Sequence, residues 1–410
     1  MSIPYFPVVI IGAGPGGLAL AQGLRKQGIA FRIFERAPAR DDYVQGFRLR
    51  VRQRGLDALE QLLTPDLHQA FIDTIGHAPP EGAQIDEQLN EVGPPRLSEE
   101  EDVHAEKSVS RITLRQVLLS GLEDHLTYAE FDHYEEEGDL IRIHLRDGGQ
   151  VTAGVLVGAD GAGSKVRAQL SPEAKHIDTG IRRIAGKITF REARAKGLLP
   201  LFFERTVQVK PNFGRSLMIS AHRVDPSAFA RHGLIGQDDP SHKGIAGFHF
   251  NNTTSYLWWN TAYRQDEIGS DAEIFALDGE GLRERVLLRM EGWHPALRDL
   301  IRYSDPSTIG LLRVRSSVPG NRWPLGRVTL LGDASHAMTY FRALGGNSAI
   351  YDAGHLSRAL GDWHFGRAPL AEVMATYEAE LRRHGDEAVT TSLEAMLRTI
   401  PEGQPLSAAA

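Results

Sequence analysis

The stretch Val8-Val9-Ile10-Ile11-Gly12-Ala13-Gly14-Pro15-Gly16-Gly17-Leu18-Ala19-Leu20 constrains the fold of this chain more tightly than any other. Its β-branched apolar start reads as a buried parallel strand. Gly12, Gly14 and Gly17 then supply G-x-G-x-x-G where strand turns into helix. In that pattern one glycine makes the tight turn, one lets backbone approach a pyrophosphate, and one lets helix and strand pack closely. The helix start offers free N–H groups and a partial positive charge to the anion. Gly28 is expected to end the helix, and Ala30–Phe34 to form a second strand. Glu35 closes that strand near the roughly 20-residue spacing of an acid that holds a ribose diol, with Arg36 beside it. A glycine-rich turn that binds nothing is the alternative, and the order strand, turn, helix, strand, acid argues against it. The motif alone does not separate FAD from NAD.

At 410 residues the chain is long enough for two domains. A net charge of −7 argues against a sequence-independent nucleic-acid binder. The chain has no cysteine, which excludes disulfides, thiolate metal sites, iron–sulfur clusters and a cysteine nucleophile. That fits a reducing cytoplasm. The apolar start flows into the glycine motif without a basic leader, so it reads as a strand and not a signal peptide. No run approaches the roughly 18 apolar residues of a membrane span. No His/Asp/Glu spacing reads as a metal site, and there is no G-x-S-x-G elbow.

Phe47, Leu49 and Val51 alternate with Arg48, Arg50 and Arg52, which predicts a strand with three arginines on one face. They suit an anion site, but a solvated face is the expected reading. A helix carrying Leu56, Leu59, Leu62 and Leu63 follows. Residues 76–107, rich in Pro, Gly and acids, read as an excursion from the nucleotide-binding unit, with Glu99-Glu100-Glu101-Asp102 a solvated charge run. Ser108–Leu119 reads as a helix with Ser110 as N-cap. Leu140–Leu145 and Val151–Val157 flank an Asp147-Gly148 turn as a hairpin. The return strand delivers Gly158-Ala159-Asp160-Gly161; Ser164-Lys165 just beyond it does not meet the phosphate-loop pattern. Ile184–Phe190, Thr206–Lys210, Ser216–His222, Gly244–Phe250 and Ser255–Tyr263 predict a mostly antiparallel sheet, and so a second domain. Helices are expected over Ala272–Met290, Asn347–Leu360 and Ala371–Met396, the last broken near Gly385. Arg327–Leu331 is a further buried strand, ending in Gly332-Asp333-Ala334-Ser335-His336.

Three motifs thus stand in order, each after a strand: Gly12–Gly17, Gly158-Ala159-Asp160-Gly161 and Gly332-Asp333. Together they resemble the class A flavoprotein monooxygenases, the aromatic-hydroxylase-like family of FAD-dependent enzymes. The resemblance covers most of the nucleotide-binding portion, including the helix at 111–119, and is weak over 177–310. It implies an α/β fold. A Rossmann-like FAD-binding domain (1–75, 106–176 and 310–400) would carry an inserted, mostly antiparallel β-sheet substrate domain (76–105 and 177–309), with C-terminal helices and a tail over 401–410. It implies that Gly12, Gly14, Gly17, Glu35 and Arg36 hold the ADP part of FAD. Arg111 would contact the flavin, and Asp160 would serve both FAD and the reduced nicotinamide. Asp333 would accept a hydrogen bond from the ribityl chain. Gly345, Gly346 and Asn347 would open a helix facing the pyrimidine edge of the flavin, where its N-terminus stabilises the reduced anion. The implied reaction takes hydride from NADPH or NADH, adds O2 to give a flavin hydroperoxide, and inserts one oxygen atom into an aromatic or polyketide-like molecule. Hydroxylation is the simplest outcome; epoxidation and Baeyer–Villiger insertion stay open.

The sequence departs from the family pattern at two places. Tyr340 stands where a proline normally borders the oxygen-transfer site, and Ala343 where a glycine is usual. Tyrosine removes a fixed φ and adds a bulky, hydrogen-bonding side chain. Either the pocket is reshaped or coupling to hydroxylation is altered. Tyr340, Gly345 and Gly346 are the candidate catalytic positions, and His336, which matches the family, is read as structural. Candidate substrate contacts are His222, Tyr256, Trp258 and Tyr340, with core or surface packing the expected reading for the first three. Strand alternation sends Trp258 and Trp259 to opposite faces. The Trp-x-Trp-x-Ile-Pro signature of flavin halogenases is absent. The expected partners are an aromatic substrate and O2, with no nucleic acid and no membrane, in a monomer or homodimer. The rival readings are a flavin oxidase or dehydrogenase without oxygen transfer, and a non-catalytic FAD-binding protein.

Overall fold

The computed structural model describes residues 3–36, 48–79, 81–93, 107–210, 216–232, 235 and 253–400. The strand expected at Gly244–Phe250, the acidic run at Glu99–Asp102 and the tail from Pro401 lie outside the described residues.

The first sheet is built around β1 (Tyr5–Ile11), whose Val8, Val9 and Ile10 are completely buried. Burial on both faces is what a continuous β-branched run supports. Parallel to β1 run β2 (Phe31–Glu35) on one side and β9 (Gln150–Gly158) on the other. β6 (Leu126–Tyr128) extends the sheet beyond β2. β9 serves two neighbours along one edge. Its first half pairs antiparallel with β8 (Leu140–Leu145), itself paired with β7 (Phe131–Glu137). Its second half pairs in parallel with β15 (Val328–Leu330). β3 (Arg48–Val51) and β5 (Lys107–Ser110) form a separate antiparallel ribbon.

α1 (Pro15–Gln27) ends at Gly28, which sits in the left-handed region with φ 73°. α2 (Gln53–Leu62) and α3 (Pro65–Asp73) follow β3; α3 was not anticipated. α4 (Arg111–Leu119) starts three residues later than expected. Ser108–Ser110 are strand because β3 offers them backbone partners, and Ser110 Oγ then caps the helix by accepting from Thr113 N–H. α5 (Lys165–Leu170) follows β9.

The second sheet has the order β14-β10-β13-β12-β11-β4, with β4 (Glu81–Ile85), β10 (His176–Thr189), β11 (Arg205–Val209), β12 (Ser216–His222), β13 (Tyr256–Arg264) and β14 (Gly310–Ser317). All pairs are antiparallel except β11–β4. One face is apolar: Ile184, Ile188, Val207, Ile219, Leu257 and Trp259 pack against α6 (Gly279–Arg289) and α7 (Pro295–Arg302). The helix expected over Ala272–Met290 is broken. Gly279 lies so close to Pro306 that a Cβ would stand 1.8 Å from its carbonyl oxygen, and Asp278 caps a fresh start there.

α8 (Gly345–His364) packs along α1 and α2. α9 (Leu370–Thr399) is uninterrupted. Gly385 does not break it; a Cβ there would meet the ring of His336 at 2.8 Å, so glycine makes room for that histidine instead. The first half of α9 packs on the first sheet through Val373, Met374, Tyr377 and Leu381. Its second half packs Val389, Leu393 and Met396 against Ile181, Ala262 and Val314 of the second sheet. Among the described residues no helix is long and apolar enough to cross a membrane.

Trp259 is fully buried in the apolar face and donates its indole N–H to Ser304 Oγ at 2.8 Å. Trp259→Ala is expected to cost about 3–5 kcal/mol of stability, read as a fall in the urea midpoint at unchanged slope.

Candidate functional site

Register fixes the site. Ile11 of β1 lies opposite Phe34 of β2 and Gly158 of β9, and Gly158 lies opposite Leu330 of β15. The residues that follow these strand ends, Gly12, Glu35, Ala159-Asp160 and Gly332-Asp333, therefore emerge side by side. The carboxyl ends of parallel strands are where open α/β sheets bind ligands.

Gly12 has φ +111°, and a Cβ there would come within 2.3 Å of the Ala159 carbonyl oxygen. Gly17 is equally constrained, with a Cβ position 2.2 Å from the Gly12 carbonyl oxygen. Gly14 is different: nothing lies within 4 Å of its Cβ position, so it leaves clearance over the N-terminus of α1. Glu35 reaches back and its Oε2 accepts from Ala13 N–H. Arg36 is exposed just beyond it.

Asp160 Oδ2 accepts from Lys165 N–H at 2.8 Å, while its Oδ1 is buried without a hydrogen-bond partner. Burial pushes this carboxyl up, against the pull of Ser164 and the N–H groups that start α5. Sequence reasoning assigned nothing to Arg167. It is buried and donates to the carbonyls of Ala162 and Ala334, tying the Asp160 loop to the Asp333 turn. A lone arginine in so short a helix beside that motif was the available signal.

Asp333 is open to solvent, yet protein crowds it closely enough for burial to push its carboxyl up, with His336 and Arg111 opposing. Both hold for a side chain that is closely surrounded by protein yet still reached by solvent. Gly345 borders it, with a Cβ position 3.5 Å from Asp333 Oδ1. The N-terminus of α8 opens here, and its first-turn N–H groups have no intrahelical acceptors. Gly346 leaves room for Leu49 of β3. The side chain of Asn347 is committed to backbone: it accepts from Arg52 N–H at 2.7 Å and donates to the carbonyls of Arg50 and Ala343. It staples β3 to α8 and so positions the helix start. Tyr340 stacks on Phe341 and covers the guanidinium of Arg183, whose Cζ is 4.8 Å from the ring centroid. Burial pushes the Tyr340 hydroxyl up to about 12, so it stays neutral.

Beneath Asp333 lies a cluster that sequence spacing did not reveal. Asp352 Oδ2 accepts from Gly332 N–H at 2.9 Å and stands 2.8 Å from His336 Nε2; His384 Nε2 is 2.7 Å from Oδ1. Two ligands of one tetrahedral zinc would stand roughly 3.3 Å apart, given bonds of about 2.0 Å. The separations are those of hydrogen bonds. The three residues come from three helical elements, so no local spacing announces them.

On the second sheet Trp258 and Tyr256 share the face opposite Trp259 and cluster with Ala185 and Met218. Arg48 is not on a solvated face: its guanidinium covers Trp258 at 4.9 Å and donates to Ser220 Oγ. His222 has no exposed surface. It wedges between Gly76 and Tyr256, shares a 2.9 Å hydrogen bond with Ser108 Oγ, and is pushed down to about 3 by burial. It is a neutral packing residue, out of a ligand's reach in this structure.

Two measurements follow from this geometry. Ala343 sits in the left-handed region at φ 53°. That conformation costs a residue with a Cβ roughly 1–2 kcal/mol, so Ala343→Gly should stabilise the FAD-free protein by about 1 kcal/mol in urea unfolding. Burial opposes charge on His336, but Asp352 outweighs it and holds the imidazole above its ordinary 6.5. A raised value stabilises below that pH and is lost as pH climbs through the folded value. Wild-type unfolding free energy should therefore fall from pH 6.5 upward, and His336→Gln should flatten that fall.

The family model for the FAD binding domain matches residues 5–200 and 304–392. The chain is 30% identical over 404 residues to a dual O-methyltransferase/FAD-dependent monooxygenase of Cercospora beticola, covering 92% of this chain and 44% of that protein. It thus spans less than half of that relative's length. An aurachin C monooxygenase/isomerase of Stigmatella aurantiaca is 27% identical, with 91% of this chain and 84% of that protein aligned. The crystal structure of a putative FAD-containing monooxygenase from Photorhabdus luminescens superposes with a TM-score of 0.80 at 28% identity, covering 98% of this chain and 99% of that one. The chain belongs to the FAD binding domain family of class A flavoprotein monooxygenases.

Proposed function

We propose that this protein is a single-component FAD-dependent monooxygenase that uses NADPH or NADH and O2 to oxidise an aromatic or polyketide-like small molecule, most simply by hydroxylation. The observation that carries this reading is the convergence of Gly12, Glu35, Asp160 and Asp333 at adjacent strand ends, next to the open N-terminus of α8. The residues fit the cofactor. The bare approach over Gly14 suits a pyrophosphate at the start of α1. Glu35, already an acceptor for Ala13 N–H, is placed to take a ribose hydroxyl, and Asp333 a ribityl hydroxyl.

FAD held by these residues would supply the two-electron redox chemistry and the reaction with O2. The protein's contribution is binding, electrostatics and exclusion of water. First-turn N–H groups at Gly345 and Gly346 stabilise negative charge at the edge they face. Asn347 holds that helix start against β3. Arg111, whose charge acts on Asp333, offsets the negative charge of that carboxylate. Tyr340 and Phe341 stack on one another against the apolar cluster of Ile181, Ala262 and Val314, and an apolar wall of that kind limits water. The six-stranded sheet serves as substrate domain, with Trp258 and Tyr256 on the face that meets β3. We place the protein in the cytoplasm, consistent with its lack of cysteine.

Tyr340 and Ala343 are the features that favour the rival, a non-catalytic FAD-binding protein. Anaerobic stopped-flow absorbance separates the two. FAD-loaded protein mixed with NADPH or NADH should lose its flavin absorbance, and faster in the presence of an aromatic effector. Stable FAD binding with no bleaching by either nicotinamide would sink the oxygenase reading. Gly14→Val should weaken FAD binding by about tenfold or more, measured by fluorescence titration, because a branched side chain fills the approach to the helix N-terminus.

A further inference from the structure

The outer face of the β7–β8 hairpin gathers two histidines and a carboxylate. β7 ends the first sheet and pairs with β8. Tyr134 of β7 is buried, so strand alternation turns His133 and Glu135 outward. Register sets His144 of β8 directly opposite His133, and the two rings stack at 4.2 Å with 6° between their planes. Ligand atoms of His133, Glu135 and His144, one from each, all lie within 4.8 Å of one another. Spacing along the chain hides this set, because two members alternate on one strand and the third arrives through pairing.

Geometry distinguishes this set from the cluster around Asp352. His144 Nε2 stands 3.4 Å from Glu135 Oε2, beyond the roughly 2.7–3.2 Å of a good hydrogen bond. It matches the roughly 3.3 Å edge of a tetrahedral site with bonds of about 2.0 Å. In the Asp352 cluster the corresponding contacts are 2.8 and 2.7 Å. The outer ring nitrogens are already held. His133 Nδ1 lies 2.9 Å from Asp132 Oδ2, and Gln150 Nε2 lies 3.3 Å from His144 Nδ1. A carboxylate on the second nitrogen is the usual support of a metal-bound imidazole, since it fixes the ring and raises its basicity. It leaves His133 Nε2 for a metal. Gln150 serves the same purpose once its amide turns over, because Oε1 then accepts from Nδ1–H. The neighbouring cations are engaged elsewhere. Arg142, across from Glu135, donates to Glu137 at 2.8 Å, and Arg146 and Lys165 pair with Glu130.

We propose that His133, Glu135 and His144 form a binding site for Zn2+ that ties the edge strand β7 to β8. Two imidazoles and one carboxylate suit this ion over Mg2+ or Ca2+, and a chain without cysteine offers no competing thiolate. Three protein ligands leave a fourth position for water. His133 and Glu135 are about half exposed, so the stacked rings can open and close around the ion without moving the strands. The site lies far from the strand ends that form the candidate cofactor site. His144 is opposite Gln150, which starts β9, and Gly158 ends that strand about 26 Å further on at roughly 3.3 Å per residue. The role is therefore structural, and the proposal does not depend on the oxygenase reading.

The test uses FAD-loaded protein freed of metal by a chelator, as wild type, His133→Ala, His144→Ala and Asp132→Asn. Each is titrated with ZnCl2 by calorimetry, and thermal unfolding is followed with Zn2+ or Mg2+ added. CuSO4 is the second probe, since Cu2+ binds such donors more tightly and its electron paramagnetic resonance reports the bound imidazole nitrogens. Wild type should take up Zn2+ saturably, unfold at a higher temperature with Zn2+ than with Mg2+, and show two imidazole nitrogens on Cu2+. His133→Ala and His144→Ala should lose the thermal shift and the second nitrogen. Asp132→Asn keeps all three ligands and should weaken Zn2+ binding by about tenfold or more. FAD affinity and the metal-free unfolding midpoint should match wild type throughout. Where a histidine variant unfolds early, Asp132→Asn and the wild-type Cu2+ spectrum decide. No saturable Zn2+ uptake by wild type, or equal effects of Zn2+ and Mg2+, would overturn the proposal. So would a Cu2+ spectrum unchanged in His144→Ala, or Asp132→Asn binding Zn2+ as tightly as wild type. If Zn2+ binds as described while neither nicotinamide bleaches the flavin, the metal site stands and the oxygenase reading falls.

Discussion

The parallel pairing of β1, β9 and β15 is the constraint on which the rest of this structure depends. Three segments separated by well over a hundred residues each are brought into one register, so that Ile11, Gly158 and Leu330 end together. Parallel strands cannot be joined by a tight turn. The chain must leave the sheet and return, and each return is an opportunity to insert structure. The second sheet occupies the interval between β9 and β15, with β4 contributed from the interval between β3 and β5. The site at the strand ends and the sheet that faces it thus follow from one topological fact.

Closely packed backbone sharpens the site. Gly12 sits against Ala159 and Gly17 against Gly12, so the first loop can take few other shapes. Arg167 fixes the second loop to the third, and Asp352 holds the third from below through Gly332 N–H. Asn347 fixes the helix start to β3. These are polar side chains spent on backbone groups, which is how a fold aims loops that have no regular pairing of their own. α9 completes the arrangement. It runs from the first sheet to the second, with Gly385 opened for His336, so the floor of the site and the facing sheet share one rigid support.

The electrostatics are arranged around unequal treatment of buried charge. Arg182 and Asp352 are buried against groups of opposite charge and serve structure. Asp333, by contrast, is open to solvent and makes no ion pair among the described residues, while crowding protein pushes its carboxyl up.

Much of this was legible in the sequence. The β-branched runs at Val8–Ile11, Val155–Val157 and Val328–Leu331 could only be buried strands. The glycines after the first had a single structural use, and the alternation of β13 put Trp258 and Trp259 on opposite faces. Local chemistry determined these, because period, branching and turn residues act over a few positions. Errors arose where a distant partner outweighed local preference. Ser108–Ser110 became strand because β3 was waiting; the helix before Arg289 broke because Pro306 pressed on Gly279; Gly385 stayed helical because His336 filled the gap. The environment of His222 is set by Gly76 and Ser108, more than a hundred residues away, which no local pattern announces. The sequence by itself determined the elements and the three strand-end motifs. Only the tertiary structure decided which charges are paired, because pairing is fixed by contacts between segments that no local pattern relates.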